Sequence, residues 1–594
     1  MRTLLVVPTF QYGSTFPTPL AITNFPVGLA YLASSLRAAG HEVFGLNPNN
    51  NASYSSAREM LRKELARSIV EFQPELIGLG GICTEYRFLR DTIRFCRTLA
   101  PDIPIVLGGG IVTHDCTFAI DDLRPDYCIA GEGEEPLVRL AGMLEAGDKC
   151  FESIPNLGYR QNGRSIFTER KFSYPDIDTR PFPDYEPFGI GDMMENLRYA
   201  AFYLFRYTRP DPRPMTIITA RGCPFNCTFC VHTGGPGYRA RSIGNIMQEL
   251  EQLYDRYHFN ILAVVDELFA VKRSRLQEFC EAVIQRRNTL GWDFDWSFQT
   301  HASASLELED IKMAKAAGCY FFSYGLESAS PNVLASMKKK TRPSQYVEAI
   351  QHAHEAQVGF GGNFIFGDVA ETTDSVTETI TFMNRHLRDD HVNLGLVLPF
   401  PGSKLFDDCI ARGIIHDKGE FYAHDVGGIF NMTAMPDPLW WSLMLGIREK
   451  NDSLGWVRET IADAWSPETE TAFSPVFARS GKTVFRVSAR CPHCGTKIST
   501  VEALDDIRKD DIRSFLSMAL RVYRNDGGTL GTFLRHRVEP FLKRKLRMRG
   551  FRRDHAVFRL LDDLGEKGVS ARRMFATACT KCHKRFRVKI DTAG

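Results

Sequence analysis

Cys223, Cys227 and Cys230 stand in the run Arg221-Gly222-Cys223-Pro224-Phe225-Asn226-Cys227-Thr228-Phe229-Cys230. Three thiolates at C-x3-C-x2-C spacing can hold three irons of a [4Fe–4S] cluster, which four cysteines normally hold. The fourth iron then has no protein ligand and is open to a small molecule, so the spacing points to chemistry rather than electron storage. A zinc knuckle and three unrelated thiols are the competing readings. Zinc sites favour paired C-x2-C hooks, and no fourth Cys or close His completes this one in tandem. Two such hooks do occur downstream, at Cys491-Pro492-His493-Cys494 and Cys579-Thr580-Lys581-Cys582. Their four thiolates suit a closed tetrahedral zinc. An auxiliary iron–sulfur cluster and two redox dithiols are the alternatives.

The apolar pattern says which elements position these residues. Residues 4–7, 43–46, 76–79 and 105–107 are strand-like runs, and 26–36 and 86–99 have helical apolar spacing. Pro26 suits the first helical turn and Gly40 the stop. Near-continuous apolar strands alternating with helices predict an α/β fold over about residues 1–150, a parallel sheet covered on both faces. Ligands bind beyond the carboxyl ends of such strands. Gly108-Gly109-Gly110 and Gly131-Glu132-Gly133-Glu134 stand at two of those ends, as plain turns or as room for a ligand. Residues 151–210, with Arg180-Pro181-Phe182-Pro183-Asp184, are expected to form an irregular linker. Over about 211–425 the alternation resumes, strand-like at 216–219, 261–265, 296–300, 320–324, 364–366 and 393–398. Six βα units predict a partial (βα)6 TIM barrel, whose chemistry gathers at the C-terminal strand ends. The cysteine triad follows the first of these strands, and Asp266-Glu267 ends the second.

The triad, with the aromatic Phe229 before its third Cys, resembles that of the radical S-adenosylmethionine (SAM) superfamily, and the resemblance runs over about residues 210–425. It implies that SAM chelates the open iron and that one electron cleaves it to methionine and a 5′-deoxyadenosyl radical. It also implies that Phe229, Asp266, Glu267, Glu327 and Gly367 lie along bound SAM, with Asp266-Glu267 near its amino end. Tyr324-Gly325-Leu326-Glu327-Ser328 resembles the family's G-x-E-S segment, whose Glu reaches the ribose. A carboxylate can accept both ribose hydroxyls; a cap on the following helix is the alternative. Phe366-Gly367-Asp368-Val369-Ala370-Glu371-Thr372 resembles the G-l-P-G-E-T turn, with Val369 and Ala370 in place of Pro and Gly. Pro399-Phe400-Pro401-Gly402-Ser403 resembles the p-y-P-G-T turn after the last strand. The Arg that family members often carry at the third strand end is replaced by Gln299-Thr300-His301. His301 is a candidate substitute or a structural histidine.

The N-terminus is similar to a second family. Phe25-Pro26-Val27-Gly28-Leu29-Ala30-Tyr31-Leu32, then Ala38-Ala39-Gly40-His41-Glu42-Val43, resembles the opening of cobalamin-binding domains attached to many radical SAM enzymes. The resemblance implies a Rossmann-like domain in which Gly108, Gly109, Gly110, Gly131, Glu132 and Gly133 admit the nucleotide tail of cobalamin. The cobalt-binding D-x-H-x-x-G motif is absent. His41 would open a strand at the wrong end of the sheet, and His114 is expected as a surface or tail contact. A lower cobalt face without histidine follows, and a relic domain that has lost cobalamin is the rival. Together the resemblances imply a cobalamin-dependent radical SAM enzyme that methylates an unactivated carbon of a small molecule. Oxidative cyclisation or ring rearrangement on a tetrapyrrole or other metabolite is the second reading. A reducing partner such as flavodoxin or ferredoxin is implied, and no catalytic side chain is singled out.

Composition bounds the rest. The 594 residues exceed one ordinary domain, and 44% hydrophobic with 24% charged residues is ordinary for a globular protein. A net charge of +2 gives no global pull toward nucleic acid or an anionic membrane. No apolar run approaches ~18 residues, and the N-terminus reads as a strand rather than a signal peptide. Fifteen cysteines, seven of them in motif spacing, fit a reducing cytoplasm. Residues 426–594 are expected to be mainly helical with zinc-ribbon-like hooks, Trp440-Trp441 being helix core rather than a membrane anchor. Between the hooks, Arg535-His536-Arg537, Lys543-Arg544-Lys545-Leu546-Arg547-Met548-Arg549 and Arg552-Arg553 form a basic run with Glu539 as its one acid. A solvated helix face, an anionic membrane contact and RNA are its three readings. An RNA-binding protein is therefore the rival from another class, although the open-iron triad argues against binding as the sole task.

Overall fold

The computed structural model describes residues 1–9, 12, 25–49, 56–171, 175–196, 213–232, 237–387, 390–426, 430–437, 439–440, 443–444, 446–447, 459–467, 482–505, 574–579, 581–582 and 585–590. The apolar runs at the N-terminus become parallel strands β1 (Arg2–Val6), β2 (Glu42–Leu46), β3 (Leu76–Gly80), β4 (Ile105–Gly108) and β5 (Tyr127–Ile129). Helices Val27–Ala38, Ala57–Phe72, Tyr86–Leu99, Gly110–Phe118 and Glu134–Ala146 cover them. The sheet order β2-β1-β3-β4-β5 turns direction between β1 and β3, the place where such sheets open a ligand crevice.

The expected linker begins differently. Residues 157–167 form β6 (Leu157–Gln161) and β7 (Arg164–Phe167), an antiparallel hairpin that extends the sheet beyond β5. Asn162 and Gly163 both take positive φ at its tip, as a tight two-residue turn requires. The proline-rich stretch after it, residues 180–185, has no regular structure. Arg37 Nη1 holds Asp184 at 2.6 Å, and the buried Tyr185 hydroxyl donates to Thr216 O at 3.3 Å.

The second unit starts at β8 (Pro214–Ile217), followed by the short antiparallel pair β9 (Ala220–Arg221) and β10 (Arg239–Ala240). Then come β11 (Ile261–Val264), β12 (Asp295–Thr300), β13 (Cys319–Glu327), β14 (Gly359–Phe366) and β15 (His391–Leu396). All six long strands run parallel in the order β15-β14-β13-β12-β11-β8, the expected open barrel. Aromatic packing joins its strands to the covering helix Arg273–Leu290. Trp296 is fully buried with Phe269, Phe279 and Phe298 around it, ring centroids 4.9–5.9 Å apart.

The C-terminal region differs from the helical expectation around its hooks. Its described strands, β16 (Glu459–Pro467), β17 (Lys482–Arg490), β18 (Lys497–Asp505), β19 (Met574–Ala578) and β20 (Arg585–Lys589), form one sheet in the order β18-β17-β16-β20-β19. Alternation within these strands buries Phe485, Val487, Ala489, Phe586 and Val588 in a separate small core. Trp440 is buried at the barrel, as expected, whereas Trp441 and the basic run 535–553 lie outside the described residues. No described helix is long and apolar enough to cross a membrane.

Candidate active site

The cysteine loop leaves the first barrel strand through a segment clamped by a buried acid. Asp266, at the end of β11, accepts from Thr219 N at 2.6 Å, from Ala220 N at 3.1 Å and from the Thr219 hydroxyl. Burial raises its carboxyl to about 6 against the pull of those donors. Asp266 was expected along SAM; here its oxygens hold the turn that launches the loop. The loop itself is pinned twice by backbone. Thr228 N donates to Met337 O at 3.1 Å, and Thr228 O accepts from Leu405 N at 2.9 Å.

Cys223, Cys227 and Cys230 are half-buried on this one loop. The Cys230 thiol donates to Cys227 and, against burial, the nearby Lys339 ammonium also draws Cys227 below an ordinary thiol. Three soft sulfur donors beside a cation fit a negatively charged iron–sulfur cluster with an open iron. Contrary to the expectation of no close His, His232, two residues after Cys230, gathers with the Cys223 sulfur and Glu267, their ligand atoms within 4.8 Å of one another. Glu267 Oε2 meets His232 Nδ1 at 2.7 Å, and His232 Nε2 lies 3.2 Å from Phe225 O. Phe229 packs partly buried into the core that the barrel shares with the N-terminal sheet.

Glu327 ends β13 at a bulge with φ of 61°, and its carboxylate accepts from Lys339 Nζ at 3.0 Å. Both side chains are at most 10% exposed. Burial alone would lower Lys339, but Glu327 and the neighbouring Cys227 outweigh it, so the ammonium persists. Gly325 makes this pair possible. A Cβ there would fall 2.3 Å from Glu327 Oε1 and 3.0 Å from Lys339 Nζ. Sequence reading missed Lys339; its run Lys338-Lys339-Lys340 carries no spacing signal. His301 is buried and neutral, lowered to about 3 by burial and then by Lys339, and it stacks on Phe225 at 4.0 Å. A cation at this site is therefore Lys339, not His301. Gly367, with its φ of 104°, faces the Trp440 ring, and its N–H donates to the buried Glu371 at 3.3 Å.

The glycine segments of the N-terminal sheet face the same region. Gly109 takes φ of 84°, and a Cβ there would meet Gly81 O at 2.7 Å, so only glycine lets the two strand ends approach. Thr113 ties the segments together, donating to Gly109 O at 3.0 Å and accepting from Gly131 N at 2.9 Å. A cavity of about 820 Å³ opens here, lined by Gly80, Gly81, Gly108–Gly110 and Gly131–Glu134 on one side and by Arg221, Gly222, Asp266 and Glu267 on the other. Its glycine wall fits a bulky tail that must approach backbone closely. Glu132 and Glu134 point their carboxylates to Arg221, and Arg239 also reaches Glu132. These arginines, too, went unread in the sequence. His41 lies at the opposite end of the sheet beside the Met1 amine, 3.4 Å away. His114, expected as a surface or tail contact, instead packs half-buried against the Gly402 turn of the barrel.

The C-terminal hooks also converge. Cys491 and Cys582 sulfurs stand 3.7 Å apart, Cys494 and Cys579 3.4 Å, and all four lie within 4.8 Å. Backbone N–H groups of His493, Lys581 and Cys582 point at Cys491 and Cys579 sulfurs at 3.3–3.5 Å, which favours thiolate.

Comparison with known proteins matches residues 21–141 to the B12 binding domain and residues 217–383 to the Radical SAM superfamily. An uncharacterized methyltransferase of Pyrococcus horikoshii is 27% identical over 422 residues, 70% of this chain and 84% of the relative. The anaerobic magnesium-protoporphyrin IX monomethyl ester cyclase of Rubrivivax gelatinosus is 27% identical over 452 residues, 74% of each chain. Among solved structures, the cobalamin-dependent S-adenosylmethionine radical enzyme OxsB shares the fold with a TM-score of 0.58 at 14% identity, covering 96% of this chain and 84% of that one. Domain order, the three-cysteine loop and the glycine-walled cavity agree with those matches, and the chain is a radical SAM enzyme carrying a B12-binding domain.

Proposed function

We propose that this enzyme transfers a methyl group to an unactivated carbon of a small molecule, with SAM at the cysteine triad and cobalamin in the adjoining cavity. The observation that carries the reading is the cavity of about 820 Å³ onto which the glycine-rich ends of one sheet and the cluster-side strand ends of the other both open. When bound, the two cofactors supply a hydrogen-abstracting radical and a methyl donor. The chain binds, orients and excludes water. Glu327 accepts from the SAM ribose, and Lys339 meets its carboxylate in place of the absent third-strand arginine. Asp266 fixes the entry to the loop of Cys223, Cys227 and Cys230. Glycines 81, 108–110, 131 and 133 leave room for the cobalamin tail.

Zinc at Cys491, Cys494, Cys579 and Cys582 belongs to the same reading. Four sulfurs around zinc at about 2.3 Å stand roughly 3.8 Å apart, and Cys491–Cys582 and Cys494–Cys579 are at 3.7 and 3.4 Å. One-electron reduction of the cluster requires a donor such as flavodoxin or ferredoxin, and seven of fifteen cysteines in ligand spacing suit a reducing cytoplasm. The Pyrococcus relative's name favours methylation, while the Rubrivivax relative's name keeps oxidative cyclisation as the second reading.

Product analysis separates them. Anaerobically reconstituted protein with cobalamin and its substrate should yield 5′-deoxyadenosine and S-adenosylhomocysteine in about equal amounts, because methyl transfer and radical formation each consume SAM. Replacing the three triad cysteines by Ala should abolish the 5′-deoxyadenosine. Deoxyadenosine without S-adenosylhomocysteine rejects methyl transfer and favours cyclisation.

A further inference from the structure

We propose that Arg221 is a positioning residue that fixes the glycine wall of the cobalamin cavity against the cysteine loop, and so couples cobalamin binding to SAM binding. The proposal rests on the cofactor reading above and adds a link between its two sites. The Arg221 side chain is 13% exposed and lies between two carboxylates that are 6% and 5% exposed. Its Nη1 is 3.1 Å from Glu132 and its Nη2 is 2.6 Å from Glu134, while its Cζ sits 4.8 Å over the Tyr31 ring. Tyr31, Glu132 and Glu134 belong to the N-terminal domain, and Arg221 belongs to the barrel. One guanidinium thus closes the seam between the cofactor sites.

Both ends of the link are tied to ligand-facing backbone. On one side Glu132 lies between Gly131 and Gly133, and Gly131 is bonded through Thr113 to Gly109. On the other side Arg221 stands two residues before Cys223, and Asp266 clamps Thr219 and Ala220 just ahead of it. Arg239, paired with Arg221 across β9 and β10, adds a second contact to Glu132. A shift of the glycine wall would strand a buried carboxylate or drag the cysteine loop with it, and stranding buried charge is costly. Each ligand that fixes one side therefore leaves less to be fixed for the other, and linkage makes that effect reciprocal. Lysine does not reproduce this fork, because its compact ammonium lacks the planar, fixed donors with which one guanidinium reaches both carboxylates.

The test is the ratio of two affinities, measured on the reconstituted full chain. Hydroxocobalamin is titrated by absorbance with and without saturating SAM. SAM should tighten cobalamin binding by at least about fivefold, the lower end of typical coupling. Arg221→Lys should bring the ratio to about one while iron content is kept. Glu134→Gln, isosteric and on the other domain, should do the same and carries the test if Arg221→Lys loses the cluster. Plain structural weakening lowers both affinities and leaves their ratio in place. A ratio of one in the unmodified protein, or an undiminished ratio in the variants, overturns the proposal. No hydroxocobalamin binding under either condition is a distinct failure: it removes the cofactor reading, and the coupling with it.

Discussion

Lys339 owes its charge to its surroundings. With Glu327 at 3.0 Å and the cysteine sulfurs nearby, a side chain only 8% exposed keeps its proton. Lys339→Met removes a charge-assisted contact to the SAM carboxylate and leaves Glu327 to repel it. A charged hydrogen bond is worth about 2 kcal/mol, or roughly 30-fold in affinity. Anaerobic calorimetry should show SAM binding weakened by about that factor with iron content unchanged, and Lys339→Arg should recover most of it. Unaltered SAM affinity in Lys339→Met would remove Lys339 from the site. The triad was legible in sequence because C-x3-C-x2-C is local, and Glu327 because Gly325-Leu326-Glu327-Ser328 resembles a local family segment, G-x-E-S. Lys339, twelve residues beyond Glu327, meets it only after a strand end, a short helix and a turn have folded, so no local pattern marks it. Asp266 was picked out by its place at a strand end, but its partners Thr219 and Ala220 come from another strand's exit.

Strands of the barrel were readable because most of them carry apolar runs set between helical stretches, as in β11 and β13. The β6–β7 hairpin was not, although Asn162-Gly163 is a turn signal; its flanking runs are short and partly polar. The C-terminal sheet escaped for a related reason. β17 alternates buried and exposed residues over a small core, and β16 pairs with β20 from far along the chain. Metal is expected to strengthen that core, since ligands gathered on folding turn binding energy into folding energy. Protein with the triad cysteines replaced by Ala should carry about one zinc by elemental analysis. Stripping that zinc should lower the thermal midpoint of the C-terminal sheet. Iron in its place, or no metal, would refute the assignment.

At the scale of the whole molecule, the two large domains are not beads on a string. Leu4, Val6 and Ile77 of the first sheet share a buried cluster with Val333, Met337 and Leu405 of the barrel. Shared apolar burial of this kind holds the cavity's two walls in register, and the charged seam at Arg221 lies beside it. The C-terminal sheet has a different topology. The chain leaves it at Asp505 and returns at Met574, and strands from before and after that excursion are neighbours. The points where the chain leaves and rejoins the sheet therefore stand on one floor. A single protease cut anywhere in 506–573 severs the covalent chain without separating its halves, because β16 and β20 remain hydrogen-bonded across the break. Cut protein should elute as one intact particle in native buffer and run as two fragments once denatured. Separation in native buffer would show that the sheet does not clasp its own chain.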